Sequence, residues 1–237
     1  QNISMSLVKS KQRVADHGEV FTADREVNAM LDLVKQETER IDSRFLEPAC
    51  GDGNFLAEIL RRKLAIAKKE SIPPRRKTPL PYDYERKAVL AVSSVYGIDI
   101  LKDNCEACRA RLFEIWDKEY KSVCKKETSD ETRAAVRFIL QRNIVCGNAL
   151  SLMCVDENGQ DTAEPIVFSE WAFITGDQMQ RKDYTFEELV NADQPKKRKK
   201  ETEEQLSMFG EPADAPDEEG KFLRQYVTNY RRVQENG

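Results

Sequence analysis

The most constraining stretch of this sequence is Leu46-Glu47-Pro48-Ala49-Cys50-Gly51-Asp52-Gly53-Asn54-Phe55-Leu56. Phe45 and Leu46 read as a short apolar strand, Glu47 puts an acid at its end, and Pro48 to Gly53 form a tight turn. A helix follows from Phe55 to about Lys69, with Leu56, Ile59, Leu60 and Leu64 on one face. Glycine at such a turn lets the backbone approach a ligand, because no Cβ intervenes. The helix beyond it aims free N–H groups and the positive end of its dipole at the same place. A Gly-x-Gly turn alone is weak testimony, since many sheets turn this way for packing.

The pattern around the turn sets the fold class. Arg25 to Ile41 carries Val27, Met30, Leu31, Leu33 and Val34 at helical spacing and predicts one amphipathic helix. Ile72 to Pro81 holds four prolines and three basic residues, which mark a surface loop. Tyr84 to Ser94 is helical, Val95 to Ile100 a strand, Asn104 to Val123 a long helix, Glu131 to Leu140 a helix, and Ile144 to Cys146 a strand. Ile166 to Trp171 is a candidate fourth strand. Alternation of this kind predicts right-handed crossovers and a parallel sheet, an α/β doubly wound class. The expected division is a domain over residues 12–175, then a largely disordered, charged linker and tail over 176–237. Gln194 to Gly220 is too rich in charge, Pro and Glu to bury a core. Phe222 to Arg232 could form a short terminal element.

Charged residues make up 34% of the 237 and the mean hydropathy is -0.66, with no apolar run approaching the roughly 20 residues that span a bilayer. Gln1 to Lys11 lacks the apolar core of a signal peptide. The net charge of -4 argues against a chain that grips DNA over its whole surface. That total hides a basic run at Lys196 to Lys200 and acids from Asp214 to Glu219. Six irregularly spaced cysteines read as free thiols of a reducing cytoplasm, the expected location. Cys105 and Cys108 form a lone CxxC with His17 the sole histidine, so the expectation is helix packing and no metal site.

The glycine-turn string closely resembles motif I of adenine-specific (N6) DNA methyltransferases, written Asp/Glu-Pro-Ala-Cys-Gly-Ser/Asp-Gly-x-Phe-Leu. Three further segments fall in that family's order. His17-Gly18-Glu19-Val20-Phe21-Thr22 resembles Gly-x-Phe/Tyr-Tyr/Phe-Thr-Pro, with Ala23 in place of the proline. Tyr96-Gly97-Ile98-Asp99-Ile100 ends a strand with an acid, and Cys146-Gly147-Asn148-Ala149-Leu150 resembles Gly-Asp/Asn-Ala-Leu. The resemblance, in the gamma motif order, covers roughly Val14 to Leu150. It implies a partial Rossmann-like fold of three or four parallel strands that binds S-adenosylmethionine. The implied cofactor residues are Phe21, Thr22, Glu47, Pro48, Ala49, Cys50, Gly51, Gly53, Asn54, Phe55, Asp99, Ile100, Asn148, Ala149 and Leu150. Asp99 would accept hydrogen bonds from the ribose hydroxyls. Asn148 would accept one from the adenine amino group, or else serve as a turn residue.

The family's catalytic tetrapeptide, Asn/Asp-Pro-Pro-Tyr/Phe/Trp, does not occur. Its polar groups accept the hydrogens of the adenine amine so that the lone pair can face the methyl group, and its aromatic ring stacks on the flipped base. Pro73-Pro74 lies in the wrong loop, and Ser169-Glu170-Trp171 lacks both prolines. No residue is therefore assigned as catalytic. The sequence implies the cofactor-binding part of an adenine-N6 DNA methyltransferase of a restriction-modification system, inactive alone and needing a partner chain. The alternative is a non-catalytic binding or assembly module. A fourth strand ending the sheet would leave an open edge, which another polypeptide or a second copy is expected to cover. In the tail, Lys196 to Lys200 reads as a solvated linker, a DNA-phosphate contact or an import signal. Gln205-Leu206-Ser207-Met208-Phe209 resembles the peptide by which bacterial proteins dock on the replication sliding clamp, with Gln205, Leu206 and Phe209 as contacts; a local packing element or an inert tail is the plainer reading.

Overall fold

The computed structural model describes residues 24–192 and 222–237. Strands β1 (Phe45–Glu47), β2 (Val95–Asp99) and β3 (Ile144–Asn148) run parallel, with Leu46 opposite Tyr96 and Asp99 opposite Cys146. Two short strands, β4 (Met153–Val155) and β5 (Asp161–Pro165), add antiparallel beside β3, giving the order β1-β2-β3-β4-β5. The mixed α/β architecture is consistent with the methyltransferase-like fold that the resemblance implies.

The crossovers carry the core. Helix α3 (Asn54–Glu70) follows the glycine turn and buries Leu56, Ile59, Leu60 and Leu64, the face its spacing predicts. Helix α4 (Pro81–Ser93) begins with proline at a position where the missing N–H goes unused, and leads directly into β2. Helix α5 (Lys102–Cys124) buries Cys105, Cys108, Leu112 and Trp116 on one side. Trp116 stacks on Tyr120 at 4.6 Å and donates its indole N–H to the Ala88 carbonyl. Helix α6 (Asp130–Asn143) starts at Ser129, whose hydroxyl accepts the Thr132 N–H, and runs straight into β3.

Three expectations are corrected. The helix expected from Arg25 to Ile41 is two pieces, α1 (Asp24–Asp32) and α2 (Lys35–Thr38). Of the five residues whose spacing suggested it only Val27 and Leu31 are buried, whereas Met30, Leu33 and Val34 are exposed, Leu33 at 86%, so no continuous apolar stripe holds one long helix on the core. The candidate fourth strand is not parallel and does not join the first sheet. It is β6 (Val167–Thr175), which pairs antiparallel with β7 (Gln178–Thr185), and β7 with β8 (Arg224–Asn229), in a separate three-stranded sheet. The expected boundary after residue 175 therefore falls inside the β6–β7 turn. The fold continues through β7, α7 (Phe186–Ala192), β8 and a closing 3-10 helix over Tyr230–Asn236.

The two sheets are joined on both sides of β2. Tyr96 and Ile98 meet Ile166, Phe168 and Phe186 in a small second core, and the Tyr96 hydroxyl donates to the Ser169 carbonyl. At the far end, the buried Glu85 of α4 accepts from the hydroxyls of Tyr120 and Tyr230 and pairs with Arg231 at 2.6 Å.

Candidate functional site

The glycine turn is fixed from below by β2. The Cys50 N–H donates to the Ile98 carbonyl and the Gly53 N–H to the Cys50 carbonyl, both at 2.9 Å. Gly51 and Gly53 have φ of 54° and 85°, the left-handed region that side chains rarely adopt. A Cβ on Gly53 would also stand 2.6 Å from the Cys108 sulfur, so α3 can begin this close to α5 only at a glycine. Gly97 does the same for the turn itself: a Cβ there would meet Leu56 and Cys50 at 2.9 and 3.0 Å. Asp52 reaches Arg111 on α5 at 3.0 Å, a tie between turn and neighbouring helix that the motif string did not bring out.

Asp99 stands at the end of β2 and faces this turn. One carboxylate oxygen accepts the Gly51 N–H at 2.9 Å; the other accepts Leu101 N–H at 2.8 Å and Asn104 Nδ2 at 3.1 Å. The acid and the glycine turn, 48 positions apart in the chain, are thus one hydrogen-bonded unit. A carboxylate has about four acceptor positions, so a further donor must share an oxygen with these backbone groups or displace one. Around the unit, Glu47 accepts the Ala49 N–H at 3.2 Å, Pro48 and Ala49 are exposed, and Asn54 and Phe55 open α3 half-buried.

The third segment behaves differently. The side-chain oxygen of Asn148 accepts the Leu150 N–H at 3.0 Å and the Ser151 N–H at 3.5 Å, and its amide donates to Asp161. In this structure its carbonyl oxygen serves the turn. Ala149 packs on the second core, whereas Leu150 is 95% exposed and Ile100 38% exposed. A Cβ on Gly159, in the β4–β5 turn, would stand at ordinary van der Waals distance from Ile100. Sequence reasoning missed this hairpin, although Asn158-Gly159 is a hairpin signal. Phe21 and Thr22 lie outside the described residues, as do Lys196 to Lys200 and Gln205, Leu206 and Phe209.

The cysteines of the turn and helix are packing groups. Cys50 and Cys108 hydrogen-bond through their sulfurs, and that contact, with burial, raises the Cys50 thiol far above its usual range. Burial pushes Cys105 up to about 12, and its sulfur contacts the Val145 and Asp99 carbonyls. Thiols held protonated in this way are poor nucleophiles. Among the described residues no group of three or more His, Cys, Asp or Glu could hold a metal ion, and no helix is long and apolar enough to cross a membrane.

Donor N–H groups at a helix start, a carboxylate one strand away and exposed apolar residues beyond it suit a nucleoside with a charged tail. The parallel strands, glycine turn and strand-end acid agree with a methyltransferase domain. The sequence profile of the family described as MmeI, DNA-methyltransferase domain, matches residues 21–204, and the chain belongs to that family. It is the methyltransferase domain of a restriction-modification enzyme. Neither a curated protein nor a solved structure matches it.

A concavity of about 530 Å³ opens on the Tyr96 side of β1. Its walls include Leu46, Pro48, Phe168, Phe186, Leu189 and Val190, with Arg44 and Glu170 paired at its rim.

Proposed function

We propose that this chain is the S-adenosylmethionine-binding part of an adenine-N6 DNA methyltransferase that acts together with a partner polypeptide. The observation that carries the reading is the 2.9 Å hydrogen bond from Gly51 N–H to Asp99, which joins the two elements such a cofactor needs. The turn of Glu47, Pro48, Ala49, Cys50, Gly51 and Gly53, with Asn54 and Phe55 opening α3, would hold the methionine end. Asp99 would take the ribose, and Ile100 and Leu150 would flank the adenine ring with Ala149 and Asn148 at its edge. The bound cofactor supplies an electrophilic methyl group on a positively charged sulfur. The chain's own contribution is to bind and orient it against donors already in place.

Adenine N6 as the acceptor is favoured by the Pro-Ala-Cys-Gly form of the turn. A partner is favoured by the absence of the tetrapeptide and by the sheet order, in which the outer edge of β1 has no strand beside it among the described residues. On the other side β3 is covered by β4 from the same chain, so among the described residues the parallel strands lack a neighbour only beyond β1. Calorimetric titration with S-adenosylmethionine tests the core of the reading. One-to-one binding that is lost in Gly51→Val, with the chain alone transferring no methyl group to DNA, is the expected outcome. No heat of binding in the parent would end it.

The missing tetrapeptide equally favours the alternative of a non-catalytic cofactor-binding or assembly module. The two part on reconstitution, since only the first gains DNA methylation when the polypeptide carrying the tetrapeptide is added.

A further inference from the structure

We propose that the groove between β1 and α7 is the seat of this chain's own segment Gln205–Phe209, which lies outside the described residues. The groove is apolar and open. Leu46 and Val190 on its walls are 41% and 38% exposed, and Leu189 is half-buried, so its surface is only partly covered. Apolar walls of this extent favour an apolar occupant.

The chain outside the structure begins and ends beside this groove. It departs from α7, whose Leu189 and Val190 form one wall. It returns at Phe222, whose ring packs on Tyr184, and Tyr184 is the cross-strand partner of Phe168 on the opposite wall. Between Val190 and Phe222 the only leucine, isoleucine, valine, methionine or aromatic residues are Leu206, Met208 and Phe209. Everything else in that tract is polar, charged, glycine, alanine or proline. The cluster sits near the middle, sixteen positions after Val190 and thirteen before Phe222. Chains of such length span about 20 Å on average when they hold no fixed structure. Tethered from both sides, the cluster meets the groove at an effective concentration in the millimolar range, so even weak apolar contacts keep it seated. The occupant is therefore in cis rather than a second copy. The same anchors resemble a clamp-docking peptide, and while seated here they are withheld from any other pocket.

Hydrogen exchange on the full chain tests the proposal. In Leu206→Ala/Phe209→Ala the amides of Phe186 to Val190 should exchange at least fivefold faster than in the parent. A synthetic peptide spanning residues 203–211, added at millimolar concentration, should restore protection. Circular dichroism establishes that the variant keeps its fold, since both changes fall in a polar tract. Equal exchange rates in parent and variant would overturn the proposal. A photo-crosslinking residue in place of Met208 gives a second measurement. Intramolecular adducts on α7 or at Arg44 to Pro48, independent of protein concentration, are expected. Adducts only between molecules, or only on another face, overturn it. Capture of the chain by purified sliding clamp with exchange at α7 unchanged would overturn it too, because two anchors cannot fill two pockets at once.

Discussion

The two sheets of this molecule divide its labour in opposite ways. The parallel strands β1 to β3 are three to five residues long and gain their rigidity from the helices that connect them. The antiparallel strands β6 to β8 are six to nine residues long and hold one another by pairing along their length, with one register shift between Phe173 and Thr175. The first sheet carries left-handed glycines and an acid at its ends, which cost stability and, under the proposed function, would serve a ligand. The second carries a buried polar network: Asp183 accepts from Ser169 and pairs with Arg142 and Arg181 at 3.2 Å, and Arg181 lies 4.1 Å over the Tyr226 ring. Irregularity is concentrated where chemistry is expected, and regular pairing where the chain must brace it.

The comparison breaks if the two regions unfold independently, and the Glu85 clasp decides that. Glu85→Ala leaves two tyrosine hydroxyls and a partly buried Arg231 without their acceptor, a loss of about 3–5 kcal/mol. Urea unfolding followed by tryptophan fluorescence and by circular dichroism should show one shifted transition by both probes. Separate transitions would mean that the sheets are autonomous. Asp99→Ala addresses the other pole. It should weaken S-adenosylmethionine binding by about 2–4 kcal/mol in calorimetry, through loss of charge-assisted hydrogen bonds and of the support to Gly51, with unfolding still a single transition.

Lys63 supplies a pH dependence specific to the cofactor side. Its ammonium is fully buried on α3 and donates to the carbonyls of Arg40, Ile41 and Ser43 just ahead of β1; burial lowers its pKa to about 7. The unfolded lysine titrates near 10.5, so between those values the unfolded state binds more protons and stability rises with pH. Measured as the difference from Lys63→Met, the gain from pH 7 to pH 9 should reach about 2–3 kcal/mol. A flat difference would mean that the ammonium stays charged on its carbonyls. Gly53→Ala combines a positive φ with contact against Cys108 and should cost about 1–3 kcal/mol in thermal unfolding. Arg44→Ala is the smallest change. It removes an exposed ion pair with Glu170 across the mouth of the groove, and stability should move by less than about 1 kcal/mol.

What the sequence revealed follows the same division. The turn from Pro48 to Gly53, the helix after it and Asp99 were legible because glycines, helical periodicity and a strand-end acid each have a local cause. The closed partnership of Gly51 with Asp99 was not, because a hydrogen bond 48 positions long leaves no spacing signal. The antiparallel sheet escaped for a different reason. In β7 the inward positions are Met179, Arg181 and Asp183, so two of the three buried side chains are charged and the alternation reads as solvent-facing. Asn148 was legible as a residue of interest, but the oxygen expected at an adenine edge is engaged by its own turn. The break after Asp32 was hidden because Leu33 and Val34 look like core residues and are exposed.

The Glu85 clasp has a kinetic consequence. The carboxylate belongs to the first half of the chain, and Tyr230 and Arg231 reach it from 145 and 146 positions later. At about 5–20 residues per second of synthesis, Glu85 waits on the ribosome for roughly 7–30 s without Tyr230 and Arg231, held by Tyr120 alone. During that interval the nascent cofactor cleft is built on an unfinished foundation, and a chaperone or a partner subunit has its chance to engage it.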